Sequence, residues 1–521
     1  MSAQSLPHAE SLYQATRDLK DRIDILNLRS TDSATKLLPA YQASRRRLVA
    51  ALAIDSLTLP DSVDRRALAT MRAVLDGELT EHPEAPGGTT VAAGDSCRYD
   101  PADLAQRAGV SALADRMYSC FGEAADDVRV DGQRYDRLAI LGLLAREPDA
   151  ARRRRLFLAL GPVWASMAGG AQPPYRELVR RRALAWAAGS LPYQQTSIAS
   201  GLPPDTVVAW LTGVLDEWRR ATPDSVVEPW DLYYVNGVVN RRLSTRISFA
   251  GLLSINDRYY RELGAPPSAL AVHYDLSPRA GKGPVSFTTF GRRTRLSHGR
   301  WQPGAAWVFT SYSAGGFDNL AELLHESGHG VHIMGIRTRP AFDDWPDSDT
   351  FTEAIADMAG LEIFEPRWQW RYLGDSTGTA GNIRSKYVNI VMDMAWALLE
   401  VRLEQDPSLD PTAVWTDITS RYLHVAPHPE LPWWAMRGQL IETTGYMLNY
   451  GLGAILVADL RQAVRLRHGD FATGDSTWYR YVRDSIYRFG LERSSRQVTE
   501  EFLGRPPSAT ALLDDLARGG Q

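Results

Sequence analysis

The chain is expected to fold as a mainly α protein, two helical lobes around a deep central cleft, with one small antiparallel β-sheet. Three observations predict this. Apolar residues recur at helical spacing over most of the 521 residues. Runs rich in β-branched and aromatic residues concentrate in a single stretch, from about Asp275 to Ser313. A chain of this length also exceeds what one core can serve, so it must divide into lobes or domains.

Taken in order, the segments LYQATRDLKDRIDIL and YQASRRRLVAALAIDSL place amphipathic helices between Leu12 and about Leu75. EHPEAPGGTTVAAGD, Glu81 to Asp95, is rich in Pro, Gly and Thr and reads as a loop or lid. Helical patterning resumes from about Pro101 to Trp218 through ADRMYSCF, RRRRLFLALGPVWASMA and YRELVRRRALAWAAG. The run Arg152 to Arg155 reads as the solvated face of one of these helices. GPVSFTTFG and AAWVFTSYS then flank the polar stretch RRTRLSHGRWQPG, which predicts an antiparallel hairpin closed by a loop. DNLAELLHESGHGVHIMG returns to helical spacing, and helices continue to the C-terminus.

Composition excludes several classes of partner. A net charge of −4, with 44% hydrophobic and 23% charged residues, is that of an ordinary globular protein and offers no field to gather nucleic acid. The opening MSAQSLPHAESLYQ lacks a basic stretch followed by an apolar run, so neither a secretory signal nor a membrane anchor is expected, and the cytoplasm is the expected location. Cys97 and Cys120 are too few for a disulfide framework.

The chemistry sits in HESGH. His325 and His329, four apart on a helix, present both imidazoles on one face about a turn apart, where they can chelate one metal ion. Glu326 lies beside the first histidine, within reach of a water that must lose its proton as it attacks a carbonyl. Downstream, SDTFTEAIADMAGLEIF offers Ser348, Asp349 or Thr350 as a helix cap and puts Glu353 and Asp357 on one face. Glu353 becomes the third ligand. Asp357 can accept a hydrogen bond from the non-ligating nitrogen of a ligand imidazole, His325 in particular. Two imidazoles, a carboxylate and an open fourth position are the donor set of a catalytic zinc site, one Zn2+ per chain.

HESGHGVH, residues 325–332, is similar to the H-E-x-G-H-x-x-H signature of the thimet oligopeptidase and oligopeptidase F family, including its last histidine at His332. GKGPVSF, residues 281–287, resembles that family's G-K-R-x-G-A-F strand, which implies that Gly283, Val285 and Ser286 bind substrate backbone. TEAIAD, residues 352–357, resembles the angiotensin-converting enzyme family, and GYMLNYGLGAILVADL, residues 445–460, resembles the carboxypeptidase Taq family. All belong to one helical superfamily of gluzincins. The resemblance implies that Tyr446 and Tyr450 divide oxyanion stabilisation and substrate binding between them. The histidine that these families place shortly before the tyrosines has no counterpart in WWAMRGQLIETTGY. His424 and His428 are read as turn residues, and Lys386, Arg437 and Arg461 as alternative captors of a substrate's terminal carboxylate.

The expected protein is thus a zinc metallopeptidase of short peptides, of oligopeptidase or peptidyl-dipeptidase type, monomeric or homodimeric, without nucleic-acid or membrane partners. Its expected division is a helical lobe over residues 1–200 and a catalytic lobe over 201–521 in one continuous fold. Alternatives are a metallocarboxypeptidase, a specialised amide hydrolase or tailoring enzyme, and a catalytically silent peptide binder. An intact Glu326 argues against the last.

Overall fold

The fold is described from a computed structural model that covers residues 5–29, 31–81, 109–186, 189–279 and 286–520. The loop expected between Glu81 and Asp95 falls outside these residues beyond Glu81, as do Cys97, Gly283 and Val285. As expected, the protein is mainly helical with a few small sheets. Among the described residues no helix is long and apolar enough to cross a membrane.

Three apolar clusters organise the chain. The first helices, Leu6–Arg29, Leu38–Ala51 and Ser62–Glu81, close around Tyr13, Leu48, Leu68 and Met71, and Phe342 from far down the chain completes that cluster. A second core gathers Met117, Phe157, Leu211 and the middle of the long helix Thr379–Gln405. A third holds the sheet, the helix Phe317–Ile333 and the helix Asp349–Gly360. The helix Tyr446–Arg467 runs between the last two: Met447, Leu448 and Leu452 pack in one, Leu456, Val457 and Leu460 in the other. That seam carries the candidate site.

Two tight hairpins arise from left-handed dipeptides. β1 (Val128–Val130) and β2 (Gln133–Tyr135) turn at Asp131 and Gly132, with φ of 50° and 78°. The main sheet has three strands, β3 (Val272–Asp275), β4 (Phe287–Arg292) and β7 (Ala305–Phe309), in the order β3-β7-β4. β4 and β7 form the expected antiparallel pair. β3 adds a strand parallel to β7, so the sheet is mixed rather than purely antiparallel. The polar stretch between β4 and β7 is not a plain loop. It forms a second hairpin, β5 (Arg295–Ser297) and β6 (Arg300–Gln302), turning at His298 and Gly299.

A buried charge network ties the first helix to the end of β4. Arg293, with a side chain only 2% exposed, donates to Asp21 (3.0 and 3.3 Å) and pairs with Asp344 at 3.1 Å, which Arg17 also reaches at 2.8 Å. Its guanidinium lies over the Phe290 ring at 3.9 Å. Arg153 likewise departs from the expected solvated face, being buried and bonded to Asp231 at 2.7 Å.

Candidate metal centre

The helix Phe317–Ile333 starts after two glycines, with the amide of Phe317 donating to Ser244 Oγ and Asp318 in the first turn, where the helix dipole favours an acid. Leu320, Leu323 and Leu324 bury its inner face, and from Glu326 to Ile333 every residue is buried. Both glycines of HESGHG serve close packing. A Cβ at Gly328 would lie 2.1 Å from the carbonyl oxygen of Ala356, and one at Gly330 would lie 2.9 Å from Val272 Cγ1 on β3. Gly360 meets the backbone of His325 in the same way, at 3.3 Å. The helices Phe317–Ile333 and Asp349–Gly360 therefore cross at backbone contact distance. Gly328→Ala must force them apart and is expected to cost about 1–3 kcal/mol as overpacking, together with metal affinity. A denaturant midpoint beside a metal titration measures both.

Ser348 is the cap of the second helix, its Oγ accepting from the amide of Phe351. From there Glu353 and Asp357 reach the crossing. His325 Nε2 lies 3.4 Å from Glu353 Oε2, and His329 Nε2 lies 4.0 Å from Glu353 Oε1. The imidazoles stand perpendicular, with ring centroids 4.8 Å apart. The donor atoms of His325, His329 and Glu353 all fall within 4.8 Å of one another. Bonds of 2.0–2.1 Å in a tetrahedron require donors about 3.3 Å apart, so the three fit a zinc ion with modest closure. His325 Nδ1 lies 2.8 Å from Asp357 Oδ1, the expected partnership, which directs Nε2 to the donor cluster. Asp357→Ala is expected to lower zinc affinity about 10- to 100-fold by competition against a chromophoric chelator, with Asp357→Asn losing less because it can still accept from Nδ1. His329 Nδ1 is buried without a partner among the described residues.

Electrostatics separate these groups. Burial opposes charge on His325, but Asp357 and Glu353 outweigh it and hold its pKa well above the usual value. Burial, aided by the charge of His325, drives His329 down to about 3, a neutral imidazole with a free lone pair. Burial pushes Glu326 up to about 7, against His325 and a hydrogen bond from Thr288. The side chains of His325 and Glu353 nevertheless keep 24% and 29% of their exposure.

Thr288, on β4, was not singled out from the sequence. Its hydroxyl lies 2.6 Å from Glu326 Oε2 and 2.9 Å from the Glu326 carbonyl. The alternation of β4 was the available signal, since Thr288 follows Ser286 by two residues and faces the same way. Ser286 itself, half-buried just ahead of β4, lies beside Tyr312 and Glu322. Trp345 stands edge-on to the His329 ring at 5.6 Å, a contact that nothing in the sequence signals.

Tyr446 and Tyr450 lie together, ring centroids 5.8 Å apart, both half-buried. Burial raises Tyr446 to about 12, and burial with the charge of Glu353 raises Tyr450 further, so both phenols keep their protons. Each of the three candidate carboxylate captors is paired with an acidic side chain, Arg437 with Asp393. Lys386 is paired with Asp515 at 2.7 Å and Arg461 with Glu362 at 2.6 Å. Arg437 lies beside Tyr450. His424, at φ 54°, contacts the Arg219 carbonyl through Nε2 while its Nδ1 makes no hydrogen bond among the described residues, and His428 sits between Glu228 and Glu430. His332 is fully buried between Trp345 and Tyr487.

By sequence the chain matches no protein-family model and no curated protein. In three dimensions it is similar to PZ peptidase A with an inhibitor (TM-score 0.59, 13% identity, 99% of this chain and 97% of that one). It is similar also to an oligoendopeptidase F (TM-score 0.57, 15% identity, 98% and 95%) and to a structure described as CHT (TM-score 0.54, 16% identity, 99% of each). From end to end, the protein has the fold found in PZ peptidase A and oligoendopeptidase F.

Proposed function

We propose that the protein is a zinc-dependent peptidase that hydrolyses short unfolded peptides, of oligopeptidase or peptidyl-dipeptidase type. The observation that carries this is the convergence of His325, His329 and Glu353, with Glu326 one residue from the first ligand. Its placement within a fold shared with two peptidases supports the same reading.

His325 Nε2, His329 Nε2 and Glu353 would hold the metal, which when bound supplies a Lewis acid for the scissile carbonyl and lowers the pKa of a water. Glu326 accepts the proton of the attacking water and returns it to the leaving amine. Burial serves that exchange, because a carboxyl with a pKa near neutrality both takes and gives a proton readily. Thr288 holds Oε2 of Glu326, leaving Oε1 for the proton. Asp357 fixes the His325 tautomer. Tyr446 or Tyr450, protonated throughout, donates to the oxyanion. An extended peptide would run along β4, the edge strand of the sheet, beside Ser286.

The test is incubation of the zinc-loaded protein with a mixture of short peptides, products read by mass spectrometry. Cleaved fragments are expected, and a folded protein in the same tube should survive. Survival of every peptide would overturn the reading.

A further inference from the structure

The helix Phe317–Ile333 presents one carboxylate that the proposed mechanism does not use. Asp318, Glu322, His325 and His329 follow one another at intervals of four, three and four residues, so they line one face of that helix. Along it Asp318, Glu322 and His325 all keep some exposure to solvent. Asn240 donates to Asp318 at 2.7 Å, whereas Glu322 makes no ion pair among the described residues. Two hydroxyls stand beside the Glu322 carboxyl and favour its charged form, those of Ser286 and Tyr312. Both oxygens are buried and make no hydrogen bond of ordinary geometry among the described residues, and Tyr312 is only 5% exposed. Strand and helix run side by side here. Thr288 lies 2.6 Å from Glu326 Oε2, and Ser286, two residues earlier, meets Glu322, one helical turn earlier. Two residues of strand advance about 6.6 Å and four of helix about 6 Å, which keeps the two pairs in register.

A carboxylate and two buried hydroxyls with unused bonding capacity converge on one place. Buried polar groups are costly unless a partner completes them. All three can accept a hydrogen bond, and the carboxylate adds charge, so their complement is a nitrogen that carries several N–H donors and a positive charge, an ammonium or a guanidinium. The two charges of a zinc ion are met by Glu353 and Asp357, which leaves Glu322 and Asp318 in excess on the same helix face. A peptide running along β4 passes this place, because Ser286 stands just ahead of that strand.

Resting on the peptidase reading, we propose that Glu322, with the hydroxyls of Ser286 and Tyr312, forms a subsite for a positively charged nitrogen of the substrate, so that the protein selects peptides with a cation one or two residues from the cleaved bond. The helix rises about 4.5–6 Å from Glu322 to His325 and Glu326, and an extended peptide advances about 3.3–3.6 Å per residue. A free amino terminus and a lysine or arginine side chain carry the same chemistry to this subsite.

Binding is read on zinc-loaded Glu326→Gln protein titrated with short peptides of neutral side chains: one N-acetylated, one with its amine free, and an N-acetylated set with a single lysine moved along the chain. At least one cationic peptide is expected to bind about tenfold or more tightly than the neutral one, the worth of a charged hydrogen bond. Preference for the free amine identifies the terminus as the source, and preference for one lysine position identifies a side chain. Adding Glu322→Gln should bring the ratio of cationic to neutral affinity close to one, and Ser286→Ala should reduce it in part. The unsubstituted protein should cut the preferred peptide one or two residues from its cation. Equal affinity for neutral and cationic peptides overturns the proposal, and that comparison needs no change at Glu322. A preference that survives Glu322→Gln overturns it too. Cleavage of the peptides by the unsubstituted protein in either case leaves the peptidase reading standing, whereas failure to bind or cut any of them overturns both.

Discussion

Glu326→Gln is expected to bind zinc as the unsubstituted protein does and to lose about 10²- to 10⁴-fold in turnover, the usual worth of a positioned general base. The amide matches the carboxylate in size and can still accept from Thr288, which approaches Oε2 at 2.6 Å. It is not one of the three donor residues, so metal content should not move. What it cannot do is take up a proton near neutrality, the capacity that burial confers by raising Glu326 to about 7. Metal analysis and single-turnover hydrolysis on one preparation separate the two effects. Retained turnover in a zinc-replete Glu326→Gln protein would remove Glu326 from the mechanism.

The second large effect is on stability. Arg293→Met should cost about 3–5 kcal/mol, because it leaves buried carboxylates without their counter-charge. Asp21 is raised by burial even with Arg293 beside it, and Asp343 is raised to about 7 for the same reason. A carboxyl whose folded pKa exceeds its unfolded one holds its stability below the unfolded value, and that stability is lost as pH rises through the folded value. Removing Arg293 raises these folded values further. The deficit of the variant should therefore be smallest near about pH 4, where aspartates begin to protonate, and should grow toward neutrality and above. Denaturant midpoints across pH measure it, and a deficit independent of pH would show that lost packing over Phe290, not charge, governs the network.

What was legible in the sequence was what depends on short spacing. Four-residue intervals on a helix decide which side chains share a face, so His325 with His329, and Glu353 with Asp357, could be read before the fold was seen, including the bond from His325 to Asp357. The β4–β7 pair was legible for a similar reason, as two β-rich runs close together. The rest depends on contacts distant along the chain. β3 joins β7 in parallel through a connection that no local pattern records. Lys386 and Arg461 looked like free cations because Asp515 and Glu362 lie 129 and 99 residues away. The crossing at Gly328 and Ala356 is fixed by packing rather than pattern. Other omissions were local. Asp-Gly at 131–132 and His-Gly at 298–299 carried hairpin signals inside stretches read as helix and as loop. Thr288 lies within the β-rich run GPVSFTTFG but one residue past GKGPVSF, the segment read as binding substrate.

The most direct test of the central claim is zinc content and peptide cleavage on a single purified sample, before and after a chelator and after zinc is restored. The account predicts about one zinc per chain, cleavage that disappears with the metal and cleavage that returns with it. A protein that holds no zinc, or that cuts peptides equally well without it, would contradict the account.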